Sequence, residues 1–488
     1  MKTYCNPLPV EDMPSGYRDD VRVPKEQSGI NDYRSMGDPS VVYHDGKWYM
    51  YPSYKLAYVS EDFVNWKKID IGVDNVNYSP AIVEFRGKWY LSGHSRPEVY
   101  CADSPEGPFK LCGMLTDTKG NHMKVPDGCY LADGDRLYFY WHEGSSDKDI
   151  CGERDVEYYT STVGAELDPD KPWMLITEPV VINEFDKTKQ WQCTGEYNQN
   201  RRMGWIEGQW AFKIGNRYYL MYSGCGTEYS GYVNAVVYSD QGPLSGFRPQ
   251  KNHNPLAESR YGVVKGAGHG SIVKGPNDTL WMFYSSVFGF NHKFERRIGM
   301  DPVGVDENGE IFCPGITETP QYAPGVLNHP EEGNSAGLLP LTFNVWPCAT
   351  SFKEGREPIY ASDESVLTWW QPAEDDKQPC ITYTVGRNET FYNVSSIRLL
   401  WRDIGMDTEN GINPGPFRYV VEYASDTKQT NWHTLVDASE NDRDLVVDYR
   451  EFDTVRTCAV RLKILGAPKG ITPGLVNLTV FGLCDTVL

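Results

Sequence analysis

Five polar residues occupy the same position in a repeated pattern, and their types suit acid–base chemistry. Each stands seven to nine residues before a predicted hairpin turn: Asp38, Ser79, Asp127, Glu207 and His269. One carboxylic acid can protonate a leaving group while a carboxylate activates water, and a third carboxylate keeps the acid protonated by like-charge repulsion. A single Asp or Glu is usually only solvated surface, but three carboxylates at matched positions indicate a site.

The pattern that positions these residues is a β-hairpin that occurs five times. In Met36–Ser53 an apolar run is followed by the turn Asp45-Gly46 and then by an aromatic run. Aromatic and β-branched residues favour strands, and Asp-Gly suits a tight turn with positive φ. The pattern recurs in Tyr78–Gly93, Asp127–Trp141, Glu207–Ser223 and His269–Ser286. Such repeats predict the blades of a β-propeller, whose first strands line a central channel. The five residues are therefore expected to meet.

From about Leu341 the repeat gives way to a different strand pattern. Alternating runs at residues 398–401 and 460–464 predict the strands of a β-sandwich. We therefore predict an all-β protein with a five-bladed β-propeller over residues 1–335 and a jelly-roll β-sandwich over 336–488. The two domains are expected to fold separately.

Bulk properties exclude several classes of partner. The formal charge of −20 argues against nucleic acid and anionic membranes, whereas a neutral sugar is compatible with it. No apolar run is long enough to span a membrane, and the N-terminus lacks an apolar leader. A cytoplasmic location is expected, or a secreted or periplasmic one if a leader has been removed. The twelve cysteines include no C-x-x-C, which argues against a zinc or redox motif, and mostly free, buried thiols are expected.

The repeated motifs resemble those of family 43 glycoside hydrolases, which are inverting enzymes built on five-bladed β-propellers. The resemblance implies that Asp38, in GDPS, is the general base, and that Glu207, in WIEG, is the general acid. It also implies that Asp127, in PDG, tunes the pKa of the acid and positions substrate. This chain has Tyr78-Ser79-Pro80 where the family commonly has Trp-Ala-Pro, and Gly128 where the family commonly has Pro.

The same resemblance extends to the metal and sugar contacts. His269, in GHGS, resembles an axial histidine that many members associate with a calcium ion, although a purely structural, hydrogen-bonded histidine is the alternative. Arg297 resembles an arginine near the sugar subsite. Tyr78 and Trp205 lie beside the repeated position and are candidates for stacking on sugar. No organic cofactor is expected. His142 lies off the repeated position and is not assigned a role.

The resemblance implies an inverting exo-glycosidase that releases terminal α-L-arabinofuranosyl or β-D-xylosyl residues from plant polysaccharide fragments. The interval Cys151–Arg202 is expected to close one end of the channel. The alternatives are the same hydrolysis of galactose or galactofuranose, and a non-catalytic carbohydrate-binding propeller. The C-terminal module resembles the factor V/VIII type C (discoidin-like) family over Asn344–Cys484, which implies either sugar binding or a bracing role.

Overall fold

The computed structural model describes residues 2–15, 32–53, 57–73, 76–145, 157–289, 294–385 and 390–485. Within these residues the secondary structure is almost entirely β, as predicted. The chain begins with a short strand, β1 (Thr3–Tyr4), which precedes the first blade. The 3-10 helices are single turns at Gln190–Gln192, Pro276–Asp278, Pro330–Glu332, Pro358–Ala361 and Thr408–Asn410.

The first two blades are four-stranded antiparallel sheets in which each strand pairs with the next along the chain. The first consists of β2 (Ser40–His44), β3 (Lys47–Tyr51), β4 (Ala57–Ser60) and β5 (Lys67–Ile69). The second consists of β6 (Ala81–Phe85), β7 (Lys88–Ser92), β8 (Glu98–Ala102) and β9 (Lys110–Met114).

The third blade is larger. Its strands are β10 (Cys129–Asp133), β11 (Arg136–Gly144), β12 (Tyr158–Asp168), β13 (Lys171–Leu175), β14 (Val180–Glu184), β15 (Cys193–Thr194) and β16 (Asn200–Gly204). The last four extend the sheet from β12. The interval expected to close the channel therefore supplies strands to this blade, while its residues 151–156 lie outside the described ranges.

The fourth and fifth blades return to four strands each. The fourth consists of β17 (Ile206–Ile214), β18 (Arg217–Gly224), β19 (Val233–Ser239) and β20 (Arg248–Pro249). The fifth consists of β21 (Gly268–Lys274), β22 (Leu280–Val287), β23 (Arg296–Val305) and β24 (Ile311–Phe312).

The first strands of the five blades form a closed ring. Each of β2, β6, β10, β17 and β21 contacts the first strand of the blade on either side. The hairpin turn of the first blade has positive φ at both central residues, Asp45 (47°) and Gly46 (81°), as a two-residue turn between twisted strands requires. Buried side chains fill the gaps between neighbouring blades. The predicted five-bladed propeller is confirmed.

The C-terminal domain is a sandwich of two antiparallel sheets. Its strands follow β25 (Gln321–Tyr322), which pairs with β1. They are β26 (Leu339–Pro340), β27 (Cys348–Ala349), β28 (Cys380–Thr384), β29 (Tyr392–Ile404), β30 (Arg418–Ala424), β31 (Trp432–Ala438), β32 (Val447–Thr457), β33 (Ala459–Gly466) and β34 (Thr472–Cys484). The sheet orders are β26-β34-β29-β32 and β27-β28-β33-β30-β31. Its discoidin-like kinship stays a prediction.

The propeller and the sandwich share buried apolar surface. Leu400, Val446 and Val476 of the sandwich belong to the same hydrophobic cluster as Met50 and Phe283 of the blades. Separate folding of the domains stays a prediction, and this shared apolar cluster argues against it. The eleven described cysteines are free thiols. In the described part of the chain, no helix is long and apolar enough to cross a membrane.

Candidate active site

The residues of the repeated position meet in a cavity of about 260 Å³ where the first strands begin. The structure brings four of the five to its wall, and the fifth, Ser79, contacts one of them. The lining residues are Asp38, Tyr78, His94, Asp127, Trp205, Glu207, Thr227, Glu228, His269, Phe294 and Arg296. Residues far apart in sequence thus form one site, as the repeat predicts.

Asp38 is a buried carboxylate held by several donors. The Arg296 guanidinium donates to both of its oxygens, at 2.5 Å to Oδ1 and 2.8 Å to Oδ2. The Ser53 hydroxyl donates to Oδ2, and Nδ1 of His269 lies 3.1 Å from Oδ1. Burial favours the neutral acid, but the charges of Arg296 and His269 outweigh it and lower the pKa of Asp38. Asp38 is therefore ionised at neutral pH.

Asp127 lies between two histidines. Nδ1 of His94 donates to its Oδ1 at 2.8 Å, and Nδ1 of His142 lies 3.4 Å from its Oδ2. Burial opposes ionisation, but the hydrogen bond and charge of His94 hold the pKa of Asp127 well below its usual range. Burial lowers the pKa of His142 to about 4, which leaves this imidazole neutral at neutral pH.

Glu207 has the opposite electrostatic environment. Burial, followed by repulsion from Asp127, raises the pKa of Glu207 to about 8, so this carboxyl is protonated at neutral pH. The Tyr232 hydroxyl donates to Oε1 at 2.8 Å. The site therefore contains one protonated carboxyl group beside two ionised ones.

His269 is committed to hydrogen bonds within the protein. Its Nδ1 lies 3.1 Å from Oδ1 of Asp38, and its Nε2 is hydrogen-bonded to the Ser79 hydroxyl at 2.9 Å. Calcium prefers oxygen ligands, and both ring nitrogens are already engaged by protein atoms. His269 does not fit as a direct metal ligand here, and calcium near the axis stays a prediction.

Two other groups of side chains in the described ranges could hold a metal ion. Ligand atoms of Asp127, His142 and Glu207 lie within 4.8 Å of one another. An ion there would take the place of the acidic proton that hydrolysis uses. The second group follows β20 and β23 and comprises His253, Asp306 and Glu310.

Two of the three predicted sugar contacts line the cavity, and the third does not. Tyr78 and Trp205 both line the cavity, and Trp205 packs edge-on against Tyr158 with ring centroids 4.7 Å apart. Arg297 does not line it: the side chain is buried beneath, paired with Glu295 at 3.2 Å. Its neighbour Arg296 reaches the cavity instead. Successive side chains of a strand point to opposite faces, so the prediction of Arg297 is corrected by one residue.

Several residues that line the cavity or contact its carboxylates were missed by the sequence pattern. His94 follows β7, and His142 lies near the end of β11, so neither occupies the repeated position. Thr227 and Glu228 lie in the loop after β18, where no repeated signal marks them. The only sign of them in the sequence was the adjacent pair His142-Glu143, whose side chains could serve acid–base chemistry. The contact between His142 and Asp127 is visible only in the folded chain.

A protonated carboxyl group and two carboxylates around one cavity provide the acid and base groups that hydrolysis of a glycosidic bond needs. Residues 34–311 match the family model described as "Glycosyl hydrolases family 43". The match covers more than half of the chain, so the chain belongs to this family of glycosidases. No curated protein sequence gives a significant match.

One solved structure supports the fold, and two others match with lower TM-scores. A thermostable family-43 glycoside hydrolase shares 20% identity and a TM-score of 0.52, over 66% of this chain and 99% of that one. A second structure, titled "Glycoside hydrolase", shares 19% identity over 91% and 97%, with a TM-score of 0.49. GH43B of the Bacteroides ovatus xyloglucan PUL shares 13% identity over 98% of each chain, with a TM-score of 0.48. At these identities the likeness concerns the fold alone.

Proposed function

We propose that this glycoside hydrolase is an inverting exo-enzyme. It releases terminal α-L-arabinofuranosyl or β-D-xylosyl residues from plant polysaccharide fragments such as xylan. The observation that carries the proposal is the division of three carboxyl groups in one cavity into one acid and two carboxylates. Acid–base hydrolysis of a glycosidic bond needs such a division.

Glu207 is the proposed general acid. Its acidic proton passes to the glycosidic oxygen as the bond to the anomeric carbon breaks. Asp127 keeps this proton in place near neutral pH, because a second negative charge beside Asp127 is unfavourable. His94 in turn stabilises the ionised form of Asp127.

Asp38 is the proposed general base. It takes a proton from the water that attacks the anomeric carbon from the face opposite the leaving oxygen. The products are a free sugar of inverted configuration and a chain shortened by one residue. This stereochemistry requires the Asp38 and Glu207 carboxyls to lie about 6.5–9.5 Å apart, whereas a retaining enzyme holds them at about 5–5.5 Å.

The size of the cavity supports exo-action. At about 260 Å³ it is smaller than the roughly 300–1,000 Å³ of sites that enclose drug-sized ligands, so it suits one monosaccharide. Product analysis on arabinan and xylo-oligosaccharides should show monosaccharide from the first minutes. Early release of long oligomers would contradict the exo assignment.

Nitrophenyl glycosides of arabinofuranose, xylose, galactose and galactofuranose test the choice of sugar. We expect turnover of the first two, and preferential cleavage of either galactose derivative would reassign the substrate. NMR of the first product anomer tests inversion directly. A product that retains the substrate configuration would refute the roles of Asp38 and Glu207, and no turnover of any glycoside would favour a carbohydrate-binding propeller.

We also propose that any ion on the propeller axis is calcium rather than zinc, because no thiolate accompanies His269 in its motif and oxygen-rich surroundings suit calcium. Elemental analysis of protein purified without chelator would test this. Stoichiometric zinc lost in His269→Gln would contradict it.

A further inference from the structure

A buried group of charges joins the C-terminal sandwich to the segment that carries Asp38. Arg34 is almost fully buried, and its guanidinium contacts two sandwich carboxylates, with Nη1 3.2 Å from Asp403 and Nη2 2.5 Å from Asp444. Two residues earlier, Asp32 accepts a hydrogen bond from the backbone N–H of Thr408, also in the sandwich, at 2.5 Å. The sandwich therefore holds residues 32–34 from outside the propeller.

The same segment is hydrogen-bonded to the strand that carries Arg296. The N–H of Met36 donates to the Arg296 carbonyl at 3.1 Å, and the Arg296 N–H donates to the Ser35 hydroxyl at 3.1 Å. Below them, Arg297 donates from Nη1 to the carbonyls of Arg34 and Arg296, each at 2.9 Å. Arg297, which the sequence placed in the sugar subsite, thus ties the two segments together.

These contacts lead directly to the catalytic base. Asp38 has a left-handed backbone with φ of 55°, a strained conformation that a non-glycine residue keeps only where its surroundings enforce it. Arg296 grips both carboxylate oxygens of Asp38. The guanidinium also lies over Gly37, where a Cβ would stand 2.5 Å from its Cζ. A small shift of residues 34–37 would therefore misplace the base.

We propose that the sandwich is a positioning element for Asp38, acting through Asp403 and Asp444 on Arg34. This inference rests on the proposed function, since it assigns Asp38 the role of base. A buried ion pair adds little stability compared with apolar packing, but it fixes geometry. Arg34 contacts two carboxylates and the Met13 carbonyl at once, a task for which the single ammonium of lysine is poorly shaped.

A second buried arginine between the domains supplies the matched control. Arg398 of the sandwich donates to the carbonyls of Asn6 and Glu318, at 2.8 and 2.7 Å, and pairs with Glu364 at 2.6 Å. None of these contacts involves the segment of Asp38. Arg34→Lys and Arg398→Lys therefore weaken the same domain interface with one conservative change each, and only the first reaches the base.

The test compares Arg34→Lys and Asp444→Asn with Arg398→Lys in the full-length protein. We expect kcat to fall up to about 10²-fold in the first two, the size of effect that a misplaced catalytic group produces, with KM almost unchanged. The loss should be equal for activated and poor leaving groups, because the base acts on both. Arg398→Lys should lower the melting temperature by about as much as Arg34→Lys does, and it should keep kcat within about twofold of wild type.

Hydrogen–deuterium exchange gives a readout that does not depend on turnover. The amides of Met36 and Asp38 should exchange faster in Arg34→Lys than in wild type, and at the wild-type rate in Arg398→Lys. Unchanged exchange and kcat in Arg34→Lys would overturn the inference, as would equal losses of kcat in both lysine variants. If wild type hydrolyses no glycoside, the proposed function fails, and exchange still decides whether the sandwich holds this segment.

Discussion

Replacing Asp127 by asparagine should move the basic limb of the pH–rate profile to lower pH. As the proposed general acid, Glu207 must be protonated to act, so activity should be lost as pH rises through its pKa of about 8. Ligand atoms of Asp127 and Glu207 lie within 4.8 Å of each other. At that distance and an effective dielectric constant of about 20, the repulsion is about 3 kcal/mol, roughly a hundredfold in the proton affinity of Glu207.

The basic limb of Asp127→Asn should therefore lie about two pH units below that of wild type. The amide oxygen can still accept from His94, so the substitution removes charge while it preserves shape. kcat/KM is measured between pH 4 and 9.5 on a nitrophenyl glycoside. Glu228→Gln is the control, because Glu228 also lines the cavity but raises the pKa of Glu207 less than Asp127 does. A basic limb that stays in place while activity falls at every pH would refute the electrostatic role of Asp127.

Further predictions concern the other groups of the site and the domain interface. Glu207→Gln should slow substrates with poor leaving groups by about 10²–10⁴-fold and spare activated nitrophenyl glycosides, whereas Asp38→Asn should slow both; equal losses in Glu207→Gln would contradict its role. Gly37→Ala should lower kcat at least about tenfold because its Cβ displaces Arg296, while Gly315→Ala, with no atom within 4 Å of its Cβ, should not. A fragment of residues 1–335 should aggregate, because it exposes the apolar surface that the sandwich covers; a soluble, cooperatively melting fragment would contradict this.

The repeat made most of the catalytic set predictable, because a propeller places equivalent positions of its blades around one axis. It could not choose between Arg296 and Arg297, since the two point to opposite faces of β23 and the sequence does not state which face meets the cavity. His94 was out of reach for a different reason. It lies beyond the end of β7, and its role depends on a contact with Asp127 that the pattern of neither blade encodes.

The interface between the domains was also beyond the sequence. Leu400 and Val446 read as ordinary sandwich residues, and nothing in their spacing indicates that they pack with the blades. Arg34 stands only four residues before Asp38, the proposed general base, but its carboxylate partners lie 369 and 410 positions away. Long-range ion pairs of this kind leave no local periodicity, so they become visible only in the folded chain.

The repeated pattern also contains the means of holding its own strained positions. Asp38, Ser79 and His269 all have positive φ, of 55°, 44° and 42°. In each case the backbone N–H donates to a serine hydroxyl near the end of the second strand of the preceding blade, or just beyond that end. These bonds run from Asp38 to Ser285 at 2.7 Å, from Ser79 to Ser53 at 3.0 Å and from His269 to Ser223 at 2.6 Å.

A buried N–H without a partner costs about 1–3 kcal/mol, which is comparable to the cost of the left-handed backbone itself. Each of these serines therefore removes the cost of an unpaired N–H at a residue that already carries the cost of a left-handed backbone. Because donor and acceptor belong to neighbouring blades, each bond forms only when those two blades pack together, and the bond from Asp38 to Ser285 joins the first blade to the last. The geometry of the site thus depends on how neighbouring blades pack. Ser285, Ser53 and Ser223 support the site from the preceding blade, although they do not line the cavity.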